Sequence, residues 1–311
     1  MKLKYEPYEV RRYSTDEYIR FLKFIEREEF DTNWVFRAQG ADYELETSLE
    51  RAILRSNFLL TDAPLIEKTI TREFGRWYNG SDCDLVRSDS LYCLSLLRHF
   101  GAPTRLLDFT YSKYVACYFG LEVAYGDVRR KKGKPDYEAP RSFALWCVNT
   151  KELETILLNT YQTDKAFVKA YRSRANLKTR GERSFGALYF NKYLLASPEN
   201  PVMIHERLHL QQGVFLCPGS VSDAFRTNLL NPYGNSPRIE GIKKLICQID
   251  PHKIQDEFTR FKRMNITRES LFPGLDGRAG KIEYLLADYL DLGKKVQEAG
   301  GFDNPTVPKP L

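Results

Sequence analysis

An α+β fold, with mixed or antiparallel sheets flanked by helices, is what this 311-residue sequence predicts. Three observations lead there. Strand-like and helix-like stretches mix without regular βαβ alternation, no internal repeat organises them, and 42% apolar with 13% aromatic residues supply ample core material. One large domain is favoured, although the length also suits two small ones.

The elements follow in chain order. In "STDEYIRFLKFIEREEF", Ser14 and Glu17 form a capping-box pattern, and Tyr18, Phe21, Leu22 and Ile25 fall on one helical face, so a helix is expected from about Thr15 to Glu28. "NWVFRAQG" then reads as a strand in which Val35 and Arg37 share one face and Phe36 and Ala38 the other. Arg37 is therefore expected to point inward with Val35, or into a cleft. Helices follow in "LETSLERAILRS" and in "APLIEKTITREFGRWY", where Pro64 suits a first turn. Another helix lies in "DSLYCLSLLRHFG", with Gly101 as its stop.

"TRLLDF" is the next strand, and Tyr114 to Leu121 a buried helix with small Ala116 and Gly120 on one side. Further strands are expected in "SFALWCV", "VFLCPG" and "KKLICQI", and helices in "QDEFTRFKRM" and "GKIEYLLADYLDLGKKVQEAG". The organisation is an N-terminal helical segment over 1–33, an α+β domain over 34–280, and a C-terminal helix and tail over 281–311. Two polar insertions interrupt the domain, at 126–141 and 169–184. Each reads as a solvated loop or, since clustered Lys and Arg release counterions on binding, as a landing strip for phosphates.

The formal charge of +6 permits an anionic ligand without demanding one. No run of about eighteen apolar residues occurs, and "MKLKYEPYEV" lacks a signal-peptide core, so a cytoplasmic protein without membrane association is expected. Cysteines 83, 93, 117, 147, 217 and 247 stand singly, which points to buried thiols rather than a zinc site or disulfide framework. No metal is expected. His205 and His209 stand at i and i+4, but "HERLHLQQGVF" reads as passing into a strand, which would part them. The sequence holds neither a GxxxxGK[ST] nor a GxGxxG loop, which excludes the usual P-loop and dinucleotide folds.

Polar side chains gather at three strand ends with apolar neighbours: Arg37 with Gln39; Arg105, Asp108, Thr110 and Ser112; and Glu206, Arg207, Gln211 and Gln212. A guanidinium among apolar residues costs several kcal/mol unless it meets a carboxylate or an anion. Internal pairing, Arg105 with Asp108 for example, accounts for any one of these sites. Three together point to a pocket.

The stretches "FRAQG", "RHFGAPTRLLDFTYSKYVACYFG", "RLHLQQGVF" and "ITRESLFPGLDG" resemble successive motifs of the FRG domain, a bacterial and phage-associated module. The resemblance spans roughly Trp34 to Gly277. Ala38, Phe100, Phe109 and Lys113 depart from its usual glycine, tyrosine, tryptophan and proline without removing a polar group.

A second resemblance is to the ADP-ribosyltransferase toxins, which carry an arginine on an early strand, then a Ser-Thr-Ser strand running into a "VAxxF" helix, then a Glu strand before a "PG" turn. Arg37, "DFTYSKYVACYF" and "QQGVFLCPGS" are similar in order and shape. This implies an ADP-ribosyltransferase-like core with helical additions, using NAD to modify a macromolecule, with DNA or RNA the favoured acceptor. A toxin or antiphage effector is implied, with a neutralising antitoxin or defence-system partner. The residues implied for catalysis are Arg37, Asp108, Thr110, Glu206 and Gln211. Those implied for NAD binding are Arg37, Gln39, Arg105, Thr110, Ser112 and Tyr118.

Gln211 and Gln212 stand where the toxins place their glutamate, and Asp108 or Glu206 is the candidate substitute. Gln211 is favoured to face the cleft because it matches the FRG "QxG" spacing. Two other classes stay open: a nucleotide- or nucleic-acid-binding module without chemistry, and a metal-independent nuclease using Asp108, Arg105 and His99.

Overall fold

The computed structural model describes residues 6–27, 29–41, 43–130, 141–173, 182–275 and 277. They form an α+β fold around one mixed sheet of seven strands: β1 (Tyr8–Tyr13), β2 (Trp34–Gly40), β3 (Leu107–Thr110), β4 (Arg141–Asn149), β5 (Ala196–Glu199), β6 (Gly213–Pro218) and β7 (Ile239–Ile249). The spatial order is β1-β7-β4-β2-β3-β6-β5. β1 runs parallel to β7 and all other neighbours are antiparallel.

Helices cover both faces. After α1 (Tyr18–Ile25) come α2 (Ser48–Arg55), α3 (Ala63–Trp77), α4 (Cys83–Ser88), α5 (Ser90–His99) and α6 (Lys113–Arg130). Then follow α7 (Thr150–Thr160), α8 (Lys165–Ser173), α9 (Glu182–Tyr189), α10 (Glu206–Leu210), α11 (Phe225–Leu230), α12 (Pro251–Arg263) and α13 (Arg268–Leu271).

Strand alternation sorts the core into two layers. Val35 and Trp146 join the cluster under α7, α8 and α11, whereas Phe36, Phe143 and Cys147 join the one under α1, α6 and α12. Each fully buried Phe contributes roughly 1.5–3 kcal/mol by leaving water. α6 lies against β2 and β4 because Gly120 has no side chain; a Cβ there would stand 2.4 Å from the Phe143 ring. Gly101 adopts φ +81° and ends the turn after α5, a conformation that a Cβ disfavours.

Several boundaries differ from the sequence reading. Thr15–Glu17 forms a 3₁₀ turn before α1, in which the Glu17 carboxylate accepts from the Ser14 N–H at 3.2 Å. The ladder of β3 begins only at Leu107, so Thr104 and Arg105 precede it. The 1–33 segment is more than helical: β1 pairs with β7 there. Its charges, Glu9, Arg11 and Arg12, mask the alternation. β5 contains Pro198, which demotes a strand in any sequence reading; it lies at the sheet edge, where a missing N–H is tolerated. The expected C-terminal helix, and residues 131–140 and 174–181 of the polar insertions, lie outside the described residues.

Candidate functional site

The junction of β2 and β3 assembles the site. Among the described residues these strands pair only through Phe36 and Thr110, so most of the β2 edge of β3 is left without ladder bonds. Arg37 fills part of the gap, its Nη1 donating to the Asp108 carbonyl at 2.8 Å. The expectation that Arg37 shares a face with Val35 holds, and the side chain is only 16% exposed. Burial pushes its pKa down to about 10 against the pull of Asp108, with Arg98 and Arg51 adding to the fall. Its Nε–H is buried and meets no acceptor.

Asp108 projects from the seam with its side chain 42% exposed. Arg98, in the last turn of α5, donates to one carboxylate oxygen through Nε at 2.8 Å and Nη2 at 2.5 Å, and Arg37 Nη1 lies 3.8 Å from that oxygen. Burial raises the carboxyl pKa, but Arg98, Arg37 and Arg207 outweigh it and hold the group ionised below the usual range. A carboxylate held this way is a weak base.

The second wall comes from α10, the short helix from which "HERLHLQQGVF" passes into β6. His205 caps this short helix, with Nδ1 accepting from the Leu208 N–H at 3.2 Å. Its ring stands 4.5 Å from that of His99, which in turn meets Phe100 edge-on at 4.9 Å. Burial, His99 and Arg207 push the His205 pKa down to about 4 against Asp108, so the ring is neutral at pH 7. With Nδ1 acting as acceptor, the proton sits on Nε2. That atom, too, is buried and has no hydrogen-bond partner. Two buried donors, Arg37 Nε–H and His205 Nε2–H, thus stand beside one carboxylate whose charge three guanidiniums exceed. A buried donor left unsatisfied costs about 1–3 kcal/mol, and an anionic acceptor supplies what both lack. Phe100, 69% exposed, offers aromatic surface next to the His99–His205 pair.

Other expected site residues serve the framework. Thr110 Oγ1 donates to the Gln211 carbonyl at 2.7 Å and accepts from the Ser112 N–H at 3.0 Å, tying β3 to the end of α10. Ser112 Oγ accepts from the Val115 N–H at 3.2 Å and so starts α6. The Gln211 amide donates to the Leu271 carbonyl at 3.1 Å, which turns it towards α13. Gln212, at φ +48°, forms the turn into β6.

Four residues are corrected outright. Arg105 is 4% exposed and binds the Glu67 carboxylate of α3 through Nε at 2.9 Å and through Nη2, while Nη1 donates to the Tyr189 carbonyl; it pairs with Glu67 rather than Asp108 and faces no cleft. Tyr118 is 4% exposed among Phe258 and Phe261, as core. Gln39 clamps the turn after β2, its Nε2 donating to the carbonyls of Tyr43 at 2.8 Å and Glu44 at 3.1 Å. Glu206 is exposed on α10, and no hydrogen bond or ion pair joins it to Arg37 or Asp108.

Arg98 and His205 are the members the sequence reading missed as site residues. Arg98 follows buried Leu94 by four residues, which places it on the inward face of α5. That spacing was a usable signal. Among the described residues no group of three or more His, Cys, Asp or Glu side chains is arranged to hold a metal ion, and no helix is long and apolar enough to cross a membrane.

In comparison with known proteins, residues 32–127 match the family model of the FRG domain, a span that holds Arg37, Arg98 and Asp108. No curated protein and no solved structure matches the chain.

Proposed function

The chain carries an FRG domain, and from that premise we propose that the Arg37–Arg98–Asp108–His205 group is the nucleotide site of an ADP-ribosyltransferase-like enzyme with NAD as donor. The observation that carries this reading is the pair of buried, unsatisfied donors beside Asp108, Arg37 Nε–H and His205 Nε2–H. They suit the anionic oxygens of a pyrophosphate, and the exposed Phe100 ring suits a base or nicotinamide plane. The toxin-like segments also lie side by side, since β2, β3 and β6 are neighbours in the sheet.

In the reaction proposed, the bond from ribose C1′ to nicotinamide nitrogen breaks and nicotinamide leaves with the electron pair. C1′ then bonds to an oxygen or nitrogen of a DNA or RNA acceptor, whose proton passes to solvent. Asp108, held ionised, orients the ribose and offsets the oxocarbenium charge rather than taking the proton. A role as toxin or antiphage effector belongs to the same reading.

One observation favours a second reading, a nucleotide-binding module without turnover. Gln211 presents an amide bound to Leu271 in place of a carboxylate, and Arg98 already neutralises Asp108. Incubating the full chain with adenylate-labelled NAD and DNA or RNA separates the two. The enzyme reading expects label in the polymer, lost at least a hundredfold in Asp108→Asn. Saturable NAD binding with no labelled product supports the module instead.

A further inference from the structure

Far from the seam along the sheet, β1 and α1 border a shallow, open cleft of about 520 Å³. Its walls carry Arg11, Arg12, Arg20, Lys23 and Arg27 against a single lining carboxylate, Glu17. We propose that this cleft binds the sugar-phosphate backbone of a nucleic acid, independently of base sequence.

The residue chemistry favours phosphates. Five cations in one concavity repel each other, and polyanion binding relieves that repulsion while releasing counterions. Three are already positioned: Arg11 is paired with Glu9 and stands 4.2 Å over the Phe24 ring, Arg27 stands 4.7 Å over the same ring, and Arg20 reaches Glu17 at 3.0 Å. Arg12 and Lys23 are exposed to solvent. A charged edge strand alone guards against edge-to-edge pairing, but that purpose needs no concavity and no basic helix opposite.

Bases are not the target. Phe24 is 3% exposed, and the Arg11 and Arg27 guanidiniums stand over its ring, so it offers no stacking platform. Backbone contacts fix position and carry no sequence information. The cleft is concave, and of its lining residues Phe24 and Tyr13 are buried, so no apolar side chain is presented for insertion into a lipid surface. The inference goes beyond the NAD reading and does not depend on it, because it concerns binding measured without NAD.

Fluorescence anisotropy of the full chain with labelled 20-nucleotide strands, from 50 to 200 mM salt, tests it. Similar affinities for oligo-dA and oligo-dT are expected. Arg12→Gln/Arg20→Gln should bind at least tenfold more weakly and flatten the slope of log affinity against log salt by about 1.4, near 0.7 per phosphate contact on a single strand. Arg12→Lys/Arg20→Lys should keep most of the binding, and Lys151→Gln, at an exposed cation on α7 outside both sites, all of it. Circular dichroism melts confirm that these exposed substitutions leave the fold intact. Absence of oligonucleotide binding, an unchanged slope in Arg12→Gln/Arg20→Gln, an equal loss in Lys151→Gln, or binding only to vesicles of 3:1 phosphatidylcholine and phosphatidylserine each overturns the proposal.

Discussion

Arg37 and Arg105 carry the same side chain near the same strands and end in opposite circumstances. Arg105 is enclosed and satisfied, with Glu67 bound through two nitrogens and a carbonyl taking a third donor. Arg37 has one donor engaged and another buried without an acceptor. The first arrangement is structural: removing one partner of a buried ion pair leaves an uncompensated charge, at about 3–5 kcal/mol. Glu67→Gln is therefore expected to lower unfolding stability in urea by about 3 kcal/mol or more while leaving ligand affinity unchanged in the folded protein. A loss below about 1 kcal/mol would mean that Arg105 is held by the carbonyls alone. The sequence named both arginines because polar residues stood among apolar ones. It did not tell them apart, because the deciding partner, Glu67, lies 38 positions away; its spacing with Ile70 and Phe74 on one face of α3 was the available clue.

α10 shows how one short element turns local chemistry into a pH response. Its cap is His205, whose neutral form is required by the Leu208 N–H it accepts, by burial, and by the neighbouring charges of His99 and Arg207, against the opposing pull of Asp108. The folded-state pKa of about 4 lies below the ordinary 6.5, so the unfolded chain binds the extra proton first. The stability this provides is full above pH 6.5 and is lost as pH falls towards 4. His205→Asn keeps a capping side chain and removes the titration. Thermal melts of that variant between pH 7 and 4 should show a shallower fall in Tm than the parent chain, and an identical fall would place the titration elsewhere. The sequence reading took "HERLHLQQGVF" to pass into a strand, and it does so at β6; the helix before it escaped notice because it lasts only five residues before Gln212, at φ +48°, turns the chain into the strand. By contrast α3, α5 and β2 were legible because each combines a clear cap or period with apolar residues that face a core.

At the scale of the molecule, the sheet brings together what the sequence lists far apart. Arg37, Asp108 and the β6 segment become neighbours because β3 is inserted between β2 and β6, an order no local pattern encodes. The α+β class was legible from mixed periodicities, whereas β1 and β5 at the two edges were hidden by charge and by Pro198. The candidate site was legible as a gathering of polar groups, but its membership depended on which residues found internal partners. Gln39, Arg105 and Tyr118 did, and they left the site. What stays is a positively charged seam with two unsatisfied donors, and calorimetric titration of the full chain with NAD measures it most directly. The account predicts a single saturable site, weakened at least tenfold in Arg37→Ala and unchanged in Arg12→Gln/Arg20→Gln. Equal affinity in the parent chain and Arg37→Ala, or no NAD binding at all, would contradict it.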